Sequence, residues 1–184
     1  MVEAAKAKPG TINYGTIGAG SLGHLTVVLL AKRAGVQLVH VPYRGGGPAV
    51  NDAVAGHVDL VIGSAALLNP QVPAGTLRPL VQTGLKRQPS LAEVPTAAES
   101  GFPGFESLAW WGVFAPAGTP QPIADRFRAE LTAVLREERV AKQLTETQQI
   151  TLSLGGPEEL RQFFEEQMRI WGAVVRENAI RSDS

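Results

Sequence analysis

The chain has no cysteine among its 184 residues. Disulfide staples and thiol chemistry are therefore excluded, while the redox compartment stays open. It has no excess of either charge: 17 Lys and Arg stand against 17 Asp and Glu. The basic footprint of a nucleic-acid binder is thus missing. No apolar run approaches the ~20 residues of a membrane span. The opening segment MVEAAKAKPGT lacks the apolar core of a secretory signal, so the chain as written is not expected to be exported. Histidine is scarce, with three residues. His57 and Asp59 are close enough to flank a metal, but two ligands make no site, and a turn-and-strand role is expected for both. No metal site and no catalytic group is expected.

What the chain has is glycine, unevenly spread. Residues 119–184 hold 3 of the 20 glycines, yet 9 of the 17 basic and 11 of the 17 acidic residues. Composition therefore divides the chain into a glycine-rich part, 1–118, and a charged helical arm, 119–184. At 184 residues there is enough chain to bury a core, as one domain or two small ones. The first part alternates short apolar runs with helical segments, the pattern of an α/β fold with a mostly parallel sheet. Strands are predicted at 11–15, 37–41, 58–62 and 78–83, with helices at 21–34, 48–55 and 64–72. Gly35 stands as the natural C′ residue of the first long helix. Residues 88–104 read as a loop with one turn at 97–99, and 105–115 as an extended apolar segment. The arm carries two amphipathic helices. Ile123, Phe127, Leu131, Val134 and Leu135 form one stripe, and Leu160, Phe163, Phe164, Met168, Trp171 and Val175 the other.

The most informative stretch is TINYGTIGAGSLGHLTVVLLAKRAG, residues 11–35. A strand enters a glycine-rich turn and an apolar helix follows. Such a turn leaves backbone N–H groups unpaired at the positive end of the helix dipole, a ready seat for an anion. The same residues fit other patterns. Gly18-Ala19-Gly20-Ser21-Leu22-Gly23 is a GxGxxG dinucleotide fingerprint. That reading needs a carboxylate after the second strand, where Pro42-Tyr43-Arg44 stands instead, so only an NADP variant with Arg44 on the 2′-phosphate survives. Ala19-Gly20-Ser21-Leu22-Gly23 is an imperfect nucleophile elbow, but only His40 and His57 follow it, and Asp52 is too near His57 for separate strand-end loops. A plain cradle asks least: two or three amides, aided by Thr16, Ser21 and His24, at ~1.5–3 kcal/mol per bond to a charged group, hold one carboxylate. The bland alternative is a tight turn with Ser21 as an N-cap.

Ordered motifs along the whole chain carry a resemblance. They are Asn13-Tyr14-Gly15, Gly18-Ala19-Gly20-Ser21 with His24-Leu25, Val39-His40-Val41-Pro42-Tyr43-Arg44-Gly45, and Gly56-His57-Val58-Asp59-Leu60. Glu93-Val94-Pro95-Thr96, Ala98-Glu99-Ser100-Gly101, Phe114-Ala115-Pro116-Ala117-Gly118-Thr119-Pro120 and Pro157-Glu158-Glu159 complete the set. From about Lys6 to Arg181 the chain resembles the substrate-binding receptors of tripartite tricarboxylate transporters, the Bug-type extracytoplasmic solute receptors. The resemblance implies one lobe of a two-lobed, type II-like periplasmic binding protein plus a C-terminal helical arm. It implies capture of a small carboxylate or dicarboxylate, delivery to a membrane permease, a periplasmic setting, no cofactor and no catalysis. It places ligand contacts at Thr16, Gly18, Ala19, Gly20, Ser21 and His24, at Tyr43, Arg44 and Gly45, and at Ser64. Gly63-Ser64 stands where relatives often have a polar or acidic pair.

The resemblance also implies that a signal peptide and first lobe precede this segment in a full receptor. The helical arm would then belong to that lobe. Its stripes are expected to fold back on the remaining lobe or to pair with a second copy, giving a homodimer. Loss of half the contacts would weaken a micromolar ligand of ~8 kcal/mol toward millimolar. An NADP-dependent oxidoreductase fragment and a scaffold that binds nothing are the alternatives from other classes.

Overall fold

The computed structural model describes residues 1–181. Helix α1 (Val2–Ala7) leads into β1 (Asn13–Thr16), α2 (Leu22–Ala34), β2 (Val39–Pro42), α3 (Gly46–Ala55), β3 (Leu60–Val61) and the short α4 (Ala65–Leu68). The three strands form one parallel sheet in the order β2-β1-β3. Tyr14 stands opposite His40 on one side and Leu60 on the other. The chain thus steps one way from β1 to β2 and back the other way to β3. Right-handed crossovers then put α2 and α3 on opposite faces. The carboxyl ends of β1 and β3 form the point where strand order reverses, the place where open α/β sheets bind ligands.

Side-chain bonds fix that sheet. Asn13 N–H donates to Asp59 Oδ2 at 2.9 Å, and Asp59 N–H returns to Asn13 Oδ1 at 2.7 Å, clamping the starts of β1 and β3 together. Asp59 is therefore a strand clamp. Helix α2 begins at Ser21, whose Oγ accepts from His24 N–H, and ends at Gly35 with φ 64°.

The predicted strand at 78–83 is not formed. Pro79 lacks an amide to donate, and the segment makes one isolated parallel bridge, Gln82 to Thr96. Its order comes from Gln82, only 9% exposed. Gln82 Nε2 donates to the carbonyls of Leu91 and Val94, and Oε1 accepts from Gln88 N–H. Its backbone pairs with Pro95 and Ala97. The expected turn at 97–99 is a capping box: Glu99 N–H donates to Thr96 Oγ1, and Thr96 N–H donates to Glu99 Oε2. Arg87 holds the same carboxylate at 2.9 Å, lowering its pKa. Replacing Thr96 with Ala should cost ~0.5–2 kcal/mol, read as a lower urea midpoint with an unchanged slope.

Contacts divide the chain otherwise than composition does. One compact unit is Met1–Ala109 together with the chain from Met168, and the other is Trp110–Gln167. In the first, Leu30, Ala97 and Phe105 form the buried cluster, with Leu29, Val81 and Phe102 against it. Val174 is buried, and Glu177 pairs with Lys32 of α2. These contacts bring the end of the arm into the first unit. The second unit holds α5 (Gln121–Arg136), α6 (Glu138–Lys142), a single π turn at Gln143–Thr147 and the first half of α7 (Pro157–Glu177). Trp110 stands edge-on to Phe163 and Phe164, with centroids at 5.3 and 6.2 Å. Its neighbour Trp111 is 72% exposed, as alternation along an extended segment requires. The stripe of α5 is only partly covered among the described residues, with Leu131 and Leu135 half-buried. The helix has no buried residue, and Ile123, Phe127 and Val134 are exposed.

Candidate functional site

The site is built on the face of β1 that carries Tyr14 and Thr16, residues two apart and hence on one side of the sheet. His40, opposite Tyr14, shares that face, and the two rings lie 5.1 Å apart. Thr16 is fully buried, and its Oγ1 lies 2.7 Å from His40 Nε2. The imidazole of His24, from the first turn of α2, stacks on His40 at 3.8 Å with planes 7° apart. Burial pushes the Tyr14 phenol up to about 12. The residues singled out in the sequence as a loop are thus seated on a column of three rings.

The loop's own amides divide into two groups. Gly18 N–H donates to Thr16 Oγ1 and Ser21 N–H to the Gly18 carbonyl. Gly18 adopts φ 128°, open to glycine alone, and this turns its amide inward. Gly20 N–H donates to His24 Nδ1 at 3.1 Å, and His24 N–H donates to Ser21 Oγ at 3.3 Å. Side chains and a carbonyl of the loop itself thus occupy several of its amides. The amides of Ala19, Leu22 and Gly23 have no acceptor among the described residues. Those three, at the start of a 13-residue helix, are the N–H groups that an anion can take up.

Residues 1–180 match the family described as "Tripartite tricarboxylate transporter family receptor". The chain belongs to this family. A UPF0065 protein from the tcbD-tcbE intergenic region of Pseudomonas sp. strain P51 is 42% identical over 178 residues, covering 96% of this chain and 53% of that protein. The solved structure of R. palustris Rpa4515 with adipate is 32% identical with a TM-score of 0.83, covering 97% of this chain and 60% of that one. MatC from Rhodopseudomonas palustris with bound malate is 29% identical with a TM-score of 0.75, covering 95% and 60%. The chain spans about half the length of that curated relative and 60% of each solved chain. No helix of the described residues is long and apolar enough to cross a membrane.

In this receptor-family chain the other strand-end loops lie beside the first. Tyr43 N–H donates to the Thr16 carbonyl, and the Tyr43 carbonyl faces Gly18. The Tyr43 side chain packs on Gly15 and reaches Asp52. Its ring covers Gly15, where an added Cβ would sit 3.1 Å from Cε2, so a larger residue there would have to push the ring back by a few tenths of an ångström. Its hydroxyl donates to Asp52 Oδ2 at 2.7 Å. Arg44 is exposed at the loop tip, and Gly45 caps α3 with φ 124°. Ser64 is the exposed N-cap of α4, without a side-chain cap bond. Neither Arg44 nor Ser64 touches the first loop through a hydrogen bond among the described residues. A depression of about 200 Å³, lined by Ala5, Lys6, Pro9, Gly35, Val36 and Gln37, lies at the far end of α2.

His40 and Asp52 are the residues that sequence reasoning missed. The contacts of His40 depend on strand register, which cannot be seen in one strand's sequence. Asp52 carries two bonds, from Tyr43 and from His57 Nδ1 at 3.4 Å. The Tyr43 bond is the larger cause that holds the Asp52 carboxyl below its usual range, and His57 adds to it. The folded pKa is depressed, so the linked stability is present above the unfolded pKa and lost as pH falls through the folded one. Tyr43→Phe should raise the Asp52 pKa, as read by carboxyl carbon shifts in an NMR titration. An unmoved pKa would show that the phenol is not the cause. Groups of three or more His, Asp or Glu able to hold a metal are not found among the described residues.

Proposed function

We propose that this chain captures a small carboxylate or dicarboxylate, by binding alone, as one wall of a periplasmic solute receptor serving a membrane permease. The observation that carries the reading is the set of three amides, Ala19, Leu22 and Gly23, left without protein acceptors at the start of α2. They stand where the strand order β2-β1-β3 reverses. Family membership and neighbours that hold adipate and malate support the same chemistry. They favour it over the NADP reading of the same glycines. Thr16, Gly18, Gly20, Ser21 and His24 shape the seat; Tyr43 shapes it through its backbone, and Arg44, Gly45 and Ser64 line its approaches. A homodimer through the exposed arm stripe belongs to the same proposal, and a monomer in sedimentation equilibrium would remove it.

Leu22→Pro tests the seat directly. Leu22 is the first helical residue, where proline is tolerated. Ser21 before it has φ −62° and ψ 156°, which a following proline allows. The variant deletes one amide, together with the half-buried Leu22 side chain. A bond to a charged group is worth ~1.5–3 kcal/mol, so adipate or malate affinity should fall about 10- to 150-fold, beyond detection if the parent binds in the millimolar range. Calorimetry showing equal binding in the variant discards these amides as the seat. Absence of saturable binding of either dicarboxylate to the parent discards the receptor reading for this chain.

A further inference from the structure

We propose that carboxylate capture at this loop is coupled to protonation of His24, so that the ligand and one proton bind together. The inference rests on the receptor reading above. Ser21-Leu22-Gly23-His24 forms a box around the helix start. Ser21 Oγ accepts from His24 N–H, and His24 Nδ1 accepts in turn from Gly20 N–H at 3.1 Å. That second bond fixes the chemistry of the ring. An Nδ1 that accepts carries no proton, so neutral His24 bears its hydrogen on Nε2. In this state the Gly20 amide is occupied and closed to a ligand.

A proton taken from solvent onto Nδ1 reverses both conditions. The atom that accepted becomes a donor, the Gly20 N–H···Nδ1 bond breaks, and the two N–H groups face one another. A carboxylate oxygen placed between them accepts from both. Without an anion this protonated state is disfavoured on three counts. Two donors oppose each other. The helix start is already positive, and the first turn of α2 holds no acidic residue to offset it. The ring also stacks on His40 at 3.8 Å, so a cation on one ring opposes a cation on the other. Among the described residues, the His40 ring on β2 faces His24 directly, with the Tyr14 phenol on β1 beyond it. Ile62, after β3, contributes only a methyl against Gly23. An anion in the seat removes all three objections at once. By linkage, the factor by which the carboxylate favours the proton is the factor by which the proton favours the carboxylate.

Imidazole and amide nitrogen shifts of the labelled chain, followed from pH 5 to 8 with and without adipate, test the coupling. The free chain should show His24 with Nδ1 unprotonated at pH 8, and the Gly20 amide should move with the His24 midpoint. Saturating adipate should raise that midpoint by about one pH unit or more. Between the free and bound midpoints, the adipate Kd should rise about tenfold per pH unit, the limit for one linked proton. A Gly20 amide that ignores His24, or a free ring with its proton on Nδ1, overturns the coupling whatever binds. Adipate that binds without moving the midpoint overturns the coupling and leaves the receptor reading intact. A Gly20 amide that follows His24 while neither adipate nor malate binds at any pH overturns the receptor reading, and the coupling with it.

Discussion

Phe105→Ala should lower stability by about 3–5 kcal/mol, the range for deleting a buried aromatic ring. Phe105 is 0% exposed and sits with Leu30 of α2 and Ala97 of the capped turn. Its ring also carries the Arg33 guanidinium at 5.3 Å from the centroid. One side chain therefore joins three segments: the body of α2, the 94–102 loop, and the extended run after it. The cluster is small, with three buried members and three partners, so little can shift to fill the space. Urea unfolding followed by far-UV circular dichroism reads the effect as a lower midpoint. Phe105→Leu, which keeps most of the volume, should recover much of the loss. A change below ~1 kcal/mol for Phe105→Ala would mean that the cluster does not hold the unit together.

Gln82→Leu comes next in size, from the opposite kind of force. The substitution keeps bulk and removes every polar atom of the side chain. The Leu91 and Val94 carbonyls lose their donor, and Gln88 N–H loses its acceptor. A group left unpaired where water does not reach costs about 1–3 kcal/mol, and the Leu91 bond is only part-buried. A loss of about 2–5 kcal/mol is expected, with faster amide exchange across 88–97. Gln82→Glu gives a signed check. Facing two carbonyls, the new carboxyl should have a folded pKa above its unfolded value. Its deficit should then be smallest below the unfolded pKa and grow as pH rises through the folded one. A pH-independent deficit would refute this account of the loop.

What the sequence shows well is whatever local chemistry decides. Helix α2 was legible from the apolar run, Ser21 and Gly35, and its observed span, Leu22–Ala34, lies one residue inside the predicted start. The three parallel strands were legible as short apolar runs between helices. The segment 78–83 misled because its apolar residues serve a cluster and a glutamine hub, and neither has a strand's period. Helix α6 and the π turn after it carry few apolar residues to mark a period, and passed unread. The family resemblance followed from ordered motifs, several of which now have a structural reason. Thr96-Ala97-Ala98-Glu99 is a capping box, and the Tyr43 ring covers Gly15. The anion loop was found from glycine spacing, but its internal pairing was not. Whether Gly20 donates outward or to His24 depends on a rotamer set by the stack on His40, 16 residues away in sequence and adjacent only once β1 and β2 pair.

The first unit's two separated stretches have a consequence for biosynthesis. The stretch Met1–Ala109 is translated before the stretch from Met168 that completes it, with the whole of Trp110–Gln167 in between. Vectorial folding cannot finish this unit piece by piece. A nascent polypeptide halted before Met168 holds α2 without the Glu177 partner of Lys32 and without Val174. Closure of the unit therefore waits on synthesis of the stretch from Met168, and products stalled before it are the species most exposed to proteases.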